Sequence, residues 1–329
     1  MSQPDTHRIL HFLEAGLARC GDETLTYRLL QRAFLPLAES LLAGRYYPAA
    51  ELARMSYESH AGGFDDRIAM LCACFGVFFG AVDLVDCVED HELPADPWDE
   101  TGWELALNTG ISCIFLAGTM LDQLTTVGVP AATVARLHAL MAEQGWRLAL
   151  GQNRDLARRD TTEAEVLQTY RGKTGSSVAL YVRAGAVLAG APAATEACWG
   201  DFGEALGVII QLHNDYYDTF ESATSPDIEN GSRTAPLVHL FNHPAGQPCQ
   251  GLAASFAGRG KEFWVTPAVR QALANADGHG YMTRLRRQLN GELDGILQAL
   301  AETHGVDISS AVQLRDARYR HRPWWPDRE

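Results

Sequence analysis

The chain has 329 residues, 47% of them hydrophobic, which is enough to bury a substantial core in one large domain or two of ordinary size. Its formal net charge of −14 argues against nucleic acid or an anionic membrane surface as a partner, because either would require a basic face. The seven cysteines form no CxxC pair, no signal peptide is evident, and no run reaches the roughly 18 uninterrupted apolar residues of a membrane span. We therefore predict a soluble, cytoplasmic protein with reduced thiols and no integral membrane segment.

Apolar residues recur at spacings of three and four along most of the chain, and this periodicity predicts an all-α fold. The alternation and tight turns of β-hairpins are nearly absent. No breaker sequence is long enough to be an interdomain linker, so we predict one helical domain over residues 1–329. In chain order, the predicted helices span residues 5–19, 23–43, 48–60, 64–92, 102–127, 130–157, 163–171, 174–190, 195–222, 234–242, 264–275, 278–302 and 307–317.

The run "DLVDCVEDHE" ends the most apolar of the predicted helices. At 100° per residue, Asp83, Asp86 and Asp90 fall on one face of that helix. Carboxylates that share a face repel one another unless a cation neutralises them, and oxygen ligands of this kind suit Mg²⁺ held partly through water and a substrate phosphate. A solvated acidic helix end is the alternative, but the apolar run directly before the acids makes it less attractive.

The run "QLHNDYYDTFES" places a second set of polar groups in an otherwise buried helix. Asn214, Asp218 and Ser222 are spaced at i, i+4 and i+8, and therefore form one stripe on a regular α-helix. Gln211 lies one turn earlier and Asp215 lies to the side of the stripe. Because two acidic stripes occur on two long apolar helices, we expect facing sites that share metal ions around a phosphorylated ligand.

Five motifs in this chain resemble those of a known superfamily. "FGEALGVIIQLHNDYYD" is similar to the second aspartate-rich segment of the trans-isoprenyl diphosphate synthases, and "DCVED" is similar to the first. The segments "GQNRDL", "YRGKTGS" and "SPDIENGSRTAPL" match further markers in the family order. The resemblance, to trans-isoprenyl diphosphate synthases and class I terpene synthases, implies an isoprenoid synthase helical bundle with a central active-site cavity. It also implies a homodimer and a substrate such as geranyl, farnesyl or geranylgeranyl diphosphate.

The resemblance also assigns roles to individual residues. Asp86, Asp90, Asn214 and Asp218 would bind Mg²⁺, three ions being usual in the family, and Lys173 would contact the diphosphate. The reaction would begin with metal-assisted loss of diphosphate, and aromatic faces would stabilise the resulting allylic carbocation. Two further oxygen ligands for the metal are Asp83 and Ser222. Further candidates for substrate binding are Arg171, Gln211, Asp215, Arg233, Arg318 and Tyr319.

The chain departs from the family where isopentenyl diphosphate would bind. Elongating synthases hold that second diphosphate with basic segments of the GGK-x-x-RP and RRG types. Here "AGRYYP" retains Arg45 and has Tyr47 directly before Pro48, and "HELPADPWDETGW" contains no arginine or lysine. Asn214 also fits the first position of the cyclase motif (N/D)D-x-x-(S/T)-x-x-x-E. We therefore expect a class I terpene synthase that cyclises or rearranges one prenyl diphosphate.

Two alternatives remain open from the sequence. The first is a prenyltransferase that either elongates a chain or uses an acceptor other than isopentenyl diphosphate. "DLVDCVEDHE", "KTGSSVAL" and "GVIIQLHNDYYD" are also similar to bacterial peptide-modifying prenyltransferases, which attach an isoprenoid to a tryptophan and likewise have ND in the second motif. The second is a non-catalytic partner subunit, and the retained metal and lysine candidates argue against it.

Overall fold

The computed structural model describes residues 2–19, 25–43, 47–90, 93, 98, 102–222, 225–244 and 265–320. Every regular element in these ranges is helical, which confirms the predicted all-α class. The α-helices are α1 (Gln3–Ala18), α2 (Leu25–Leu42), α3 (Pro48–Ala61), α4 (Asp66–Glu89), α5 (Trp103–Asp122), α6 (Ala131–Ala157), α7 (Glu163–Tyr170), α8 (Ser176–Leu188), α9 (Ala193–Tyr216), α10 (Pro226–Asn230), α11 (Ala235–Asn242), α12 (Val265–Asn275), α13 (Gly278–Glu302) and α14 (Ser309–Arg315). A 3-10 segment, Gln123–Val127, follows α5, and π-helical segments are Arg171–Gly175, Tyr217–Glu221 and Asp316–Arg320.

Most helices begin and end within a few residues of their predicted bounds. No helix was predicted between residues 222 and 234, but the run "SPDIENGS" in this interval contains the short helix α10. Gly231 follows α10 with φ of 69°, a left-handed conformation that glycine adopts without a steric penalty. The predicted helix 195–222 also differs, because it changes from α to π geometry at Tyr217 and ends before Ser222.

The chain divides into two compact units, residues 1–143 with 180–200 and residues 144–179 with 201–329. In the first unit, α4 packs against α1, α2, α3 and α5. Its segment from Ile68 to Phe78 is fully buried, as expected for a helix that is apolar on every side. A Cβ on Gly110 of α5 would lie 2.7 Å from Val85 Cγ2 of α4, so glycine permits the close approach of these helices. The prediction of a single domain stays a prediction.

Among the residues that the structure describes, two helices of the first unit are long and apolar enough, by length and composition, to cross a membrane. The apolar window of α4 is 72% buried, which is typical of a core helix, and that of α5 is 44% buried. The less buried α5 exposes the side chains of Trp103, Ile111 and Phe115.

In the second unit, α11 packs against α7, α12 and α13, while α10 packs against α12. Ile228, Leu237, Leu240 and Leu273 are among the buried residues of this core. Phe220, from the π-helical segment after α9, packs against the same core. The segments that carry the second acidic motif and "SPDIENGSRTAPL" are therefore anchored in one hydrophobic cluster.

Candidate active site

The first acidic motif lies at the C-terminal end of α4, in the first unit. Asp83 and Asp86 belong to the helix, and Asp90 is its C-cap, with its backbone N–H donating to the Asp86 carbonyl at 2.9 Å. Helical geometry therefore continues to Asp90, and the three carboxylates share one face as predicted. Burial raises the pKa of Asp83, and the neighbouring charge of Asp86 raises it further. A cation at this face would relieve that repulsion.

The second acidic motif, in the second unit, begins in the last turn of α9 and continues in π-helical geometry. Asp218 lies in the π-helical segment, and the Ser222 N–H donates to the Tyr217 carbonyl at 2.8 Å across five residues. Ser222 itself is extended, with φ of −67° and ψ of 142°. The expectation that Ser222 continues the helical stripe of Asn214 and Asp218 is therefore wrong, because a π-turn contains more residues than the α-turn on which the spacing was based. Its role as a metal ligand stays a prediction.

Arg270 of α12 forms hydrogen bonds with the end of this motif. Its Nε donates to the Thr219 carbonyl at 3.0 Å, and its Nη2 donates to the Ser222 carbonyl at 2.6 Å. The last carbonyls of a helix have no partner within the helix, so this guanidinium satisfies groups that would otherwise require water.

Asp215 is fully buried, whereas the adjacent Asn214 is exposed. The carboxylate accepts hydrogen bonds from Gln211 Nε2 at 2.9 Å and from the Tyr170 hydroxyl. The Tyr170 oxygen in turn accepts the Ala235 backbone N–H at 2.7 Å. Burial raises the pKa of Asp215 well above its usual value. The bonding fits the supporting role predicted for Asp215, because it holds the turn from which Asn214 projects.

The same network reaches the segment "YRGKTGS". The Thr174 hydroxyl donates to Gln211 Oε1 at 2.7 Å, so Gln211 links Thr174 to Asp215. Three motifs that are distant in sequence are therefore joined by direct hydrogen bonds within the second unit. Sequence reasoning included Gln211 in this site but missed Tyr170, for which only its place at the start of "YRGKTGS" was a signal.

Lys173 lies in the π-helical segment Arg171–Gly175, among acids of the second unit. Its Nζ is 2.9 Å from Asp155 Oδ2. Burial, followed by the charges of Asp218 and Asp155, raises the pKa of Asp227 to about 7. A hydrogen bond with Ser232 and the charge of Lys173 act in the opposite direction. We call Asp155, Lys173, Asp218 and Asp227 the lysine–acid cluster. Its three carboxylates outnumber its lysine, so it needs cations before it can accept an anionic diphosphate.

Asp155 and Asp227 were not among the predicted site residues. Both lie inside motifs that the sequence had already singled out, "GQNRDL" and "SPDIENGSRTAPL". Their position within those motifs was the signal in the sequence that could have identified both residues as part of the site. Their proximity to Lys173 was not visible, because it depends on the packing of separate helices.

Close backbone contacts fix the position of Lys173. A Cβ on Gly151 of α6 would lie 2.2 Å from Lys173 N, and a Cβ on Gly207 of α9 would lie 2.6 Å from Gly175 Cα. The π-helical segment is therefore held between two backbones at separations that only glycine permits. This contact explains the glycine at the start of "GQNRDL" in physical terms.

The remaining predicted substrate-binding residues have varied surroundings. Arg171 is half-buried at the start of its π-helical segment, and Arg318 is exposed in Asp316–Arg320. Arg233 donates from Nε to the Arg158 carbonyl at 3.2 Å and lies over the Phe241 ring at 4.9 Å. The side chain of Tyr319, Arg45 and most of "HELPADPWDETGW" lie outside the described residues.

Among the described residues, no group of three or more His, Cys, Asp and Glu side chains is arranged to hold a metal ion by itself. The available donors nevertheless fit Mg²⁺ in kind, since they are carboxylate and amide oxygens, and this ion usually keeps waters and takes ligands from substrate phosphates. Burial raises the pKa of Asp83, Asp218 and Asp227, and neighbouring carboxylates raise the pKa of Asp83 and Asp227 further, a repulsion that a divalent cation would relieve.

Tyr47, in the first unit, stands directly before Pro48, where elongating synthases are expected to have a basic residue. Its ring meets Phe79 edge-on at 5.4 Å, and Phe79 meets Tyr181 at 6.5 Å. Burial raises the pKa of Tyr47, and the nearby charge of Asp83 raises it further. The described part of this segment therefore presents an aromatic ring and a hydroxyl to α4.

Comparison with known proteins agrees with the fold and with the motifs. Residues 97–260 match the family model described as polyprenyl synthetase. Tryptophan prenyltransferase ComQ of Bacillus spizizenii is 27% identical over 185 residues, which cover 56% of this chain and 62% of that protein. A short chain isoprenyl diphosphate synthase of Methanothermobacter thermautotrophicus is 29% identical over 140 residues, which cover 40% of this chain and 43% of that protein. The chain thus matches less than two thirds of the length of each relative.

The structure is similar to that of geranylgeranyl pyrophosphate synthase from Corynebacterium glutamicum, solved with isoprenyl diphosphate and magnesium. The TM-score is 0.74, the identity is 16%, and the match covers 97% of this chain and 98% of that one. At this identity the likeness shows the fold alone, which is that of the isoprenyl diphosphate synthases. Motifs, family model and fold agree, and the chain belongs to the superfamily of trans-isoprenyl diphosphate synthases and class I terpene synthases.

Proposed function

We propose that this protein is a Mg²⁺-dependent prenyltransferase that transfers the prenyl group of a linear prenyl diphosphate to a neutral acceptor. The observation that carries the proposal is the lysine–acid cluster, in which Lys173 pairs with Asp155 and two further carboxylates, Asp218 and Asp227, have a raised pKa. Such a cluster suits a diphosphate that arrives with divalent cations. Bound Mg²⁺ would neutralise the acids and favour departure of the diphosphate.

The proposed roles follow the motifs. In the first unit, Asp86 and Asp90 on α4 would hold Mg²⁺. In the second unit, Asn214 and Asp218 around the end of α9 would hold Mg²⁺, and Lys173 would donate to a diphosphate oxygen. The presence of three ions is part of the proposal. Asp83 adds negative charge beside Asp86, and the buried Asp215 orients the turn that carries Asn214.

The neutral acceptor is supported by the surroundings of Tyr47, which offers a ring and a hydroxyl at a segment expected to be basic. It is also supported by the similarity to ComQ, a tryptophan prenyltransferase. In the transfer, the C–O bond of the prenyl diphosphate breaks and its electron pair leaves with the diphosphate. An electron pair of the acceptor forms the new bond to the allylic carbon, and the acceptor releases a proton to solvent.

A second candidate function is chain elongation with isopentenyl diphosphate. It is favoured by the similarity to the Methanothermobacter synthase, which is 29% identical over the matched part. Cyclisation, the reaction favoured by the sequence, has weaker support, because the relatives described above are a tryptophan prenyltransferase and an isoprenyl diphosphate synthase. Prenyl transfer accounts better for both the motifs and the relatives.

One assay separates these functions. The protein is incubated with Mg²⁺ and geranyl, farnesyl or geranylgeranyl diphosphate, alone, with isopentenyl diphosphate, or with a tryptophan-containing peptide, and the products are identified by mass spectrometry. We expect a prenylated peptide and no longer diphosphate. A longer diphosphate formed only with isopentenyl diphosphate would establish elongation instead, and cyclic hydrocarbons from the diphosphate alone would establish cyclisation.

We also propose that the protein is a homodimer that pairs through one face of α5. Trp103, Ile111 and Phe115 are 57%, 42% and 72% exposed, and their spacing places them on the same side of the helix. Soluble monomers rarely expose contiguous apolar stripes of this kind, because covering them removes apolar surface from water.

A further inference from the structure

The π-helical segment Tyr217–Glu221 contains Asp218, one of the two proposed metal ligands of the second unit. Its hydrogen bond runs from the Ser222 N–H to the Tyr217 carbonyl at 2.8 Å. Such segments are rare and occur mostly as single turns, frequently at functional sites. Because the backbone of this turn decides where the Asp218 carboxylate lies, the contacts that hold the turn bear on metal binding.

Arg270 of α12 holds the backbone directly after Asp218. Its Nε and Nη2 donate to the carbonyls of Thr219 and Ser222, at 3.0 and 2.6 Å, so one guanidinium spans two carbonyls three residues apart. The planar guanidinium offers these N–H groups in a fixed geometry, whereas a lysine ammonium is a single point charge on a flexible chain. Neither bond uses a carboxylate, so this contact leaves the Asp218 side chain to other partners.

Apolar packing holds the same turn from the side. Phe220 packs against the core cluster that contains Val269 and Leu273, the residues of α12 before and after Arg270 along the helix. A Cβ on Gly278 would lie 3.3 Å from Phe220 Cζ, so the ring is closely enclosed. Phe220 therefore fixes the turn through its side chain, and Arg270 fixes the backbone on both sides of Phe220.

We propose that Arg270 is a positioning residue for magnesium binding, because its guanidinium fixes the backbone after Asp218 and thereby orients that carboxylate toward the cation. The inference deepens the proposed function and rests on its assignment of Asp218 as a Mg²⁺ ligand. Groups that orient metal ligands do not touch the ion, yet their loss typically lowers metal affinity by about 10–100-fold. Arg270 acts in this way through the backbone and not on the substrate.

The binding of Mn²⁺, used as a probe for the Mg²⁺ site, tests this role without prenyl transfer. Protein-bound Mn²⁺ is measured with the full chain in inorganic diphosphate by the enhancement of water proton relaxation. We expect Arg270→Gln to bind Mn²⁺ about tenfold more weakly than the wild type. Arg270→Lys keeps the charge without the planar pair of donors, and its affinity should lie between those two.

Two controls separate position from stability. Arg284→Gln removes an arginine of the same unit whose ion pair with Asp277 is exposed at the surface, and it should keep the wild-type Mn²⁺ affinity. Tyr57 is buried in the first unit and its hydroxyl donates to Asp65 at 2.8 Å. Tyr57→Phe should therefore melt at a lower temperature and bind Mn²⁺ as the wild type does. Wild-type affinity in Arg270→Gln, or an equal loss in Tyr57→Phe, would overturn the inference.

Hydrogen exchange followed by mass spectrometry gives a second measurement, made on the metal-free protein. Peptides that cover residues 217–222 should exchange faster in Arg270→Gln than in the wild type, because two of the contacts that keep this turn closed are lost. In Arg284→Gln the same peptides should exchange at the wild-type rate. An unchanged rate at residues 217–222 in Arg270→Gln would also overturn the inference.

The failure of the proposed function is seen separately. If the wild type binds Mn²⁺ in inorganic diphosphate but transfers no prenyl group to any acceptor, the proposed function fails, and the Arg270 variants still decide the role of Arg270. If the wild type transfers a prenyl group and Arg270→Gln binds Mn²⁺ with wild-type affinity, only the positioning role is overturned.

Discussion

At the residue scale, Asp227 shows how burial and neighbouring carboxylates in the lysine–acid cluster disfavour ionisation. Its pKa of about 7 lies above the value of about 3.9 expected for an unfolded chain. Between these two values the folded state binds more protons than the unfolded state, so the contribution of Asp227 to the free energy of unfolding falls as pH rises. Above about pH 7 both states are ionised and the loss is complete.

We therefore expect the metal-free protein to lose stability between about pH 4 and pH 7, and Asp227→Asn to reduce that loss. The free energy of unfolding of each protein is measured by urea unfolding in the presence of a chelator at several pH values. Asp201→Asn, which changes an exposed aspartate of the same unit, should retain the wild-type dependence. An identical pH profile in Asp227→Asn and the wild type would contradict the assignment of the raised pKa to Asp227.

Tyr170 is the residue on which the buried network of the second motif depends. Tyr170→Phe leaves the Asp215 carboxylate and the Ala235 N–H without their shared partner, and each unpaired buried group costs about 1–3 kcal/mol. We expect a lower free energy of unfolding and a higher Mg²⁺ concentration for half-maximal diphosphate release. Tyr57→Phe should lower stability without changing the Mg²⁺ dependence, and an unchanged dependence in Tyr170→Phe would show that the network does not position the metal ligands.

At the scale of elements, the π-helical segment Arg171–Gly175 is positioned by backbone contact. In an exposed helix, glycine to alanine usually stabilises by up to about 1 kcal/mol. At Gly151 we expect the opposite sign, because the added Cβ would lie 2.2 Å from Lys173 N and must displace the segment. Gly151→Ala should lower both the free energy of unfolding and kcat/KM for the prenyl diphosphate, the latter by more than about tenfold.

Gly118→Ala is the control for this effect. Its Cβ would meet only the Met141 side chain, at 3.7 Å, which is an ordinary contact. We expect this variant to be neutral or more stable than the wild type, with unchanged kcat/KM. A Gly151→Ala protein with the same properties would show that the segment tolerates displacement.

At the scale of the whole molecule, the exposed face of α5 predicts the oligomeric state. Phe115→Glu places a charge on the proposed apolar interface, and we expect it to shift the protein from dimer to monomer in light scattering coupled to gel filtration. Ala274→Glu, an exposed change on α12, should leave the dimer intact. A monomeric wild-type protein would overturn the proposal, and a dimeric Phe115→Glu would place the interface elsewhere.

The sequence was most informative where the determinants are local. Helical periodicity and breakers located most helices to within a few residues, and the order of the motifs identified the superfamily. It failed at "SPDIENGS", because short helices with turn residues have no clear periodicity. It also failed at Ser222, because the α period cannot reveal a change to π geometry.

The sequence by itself determined the helical class, the superfamily and the acids that are candidates for Mg²⁺ binding, since these depend on spacing along single helices. Only the tertiary structure decided that Asp155 lies beside Lys173 and that Tyr170 joins Asp215 to Ala235, because these contacts connect residues 18, 45 and 65 positions apart. It alone revealed that Tyr181 is buried with a hydroxyl that has no hydrogen bond to any described residue. Burial and pairing are properties of the packed chain, and no local pattern encodes them.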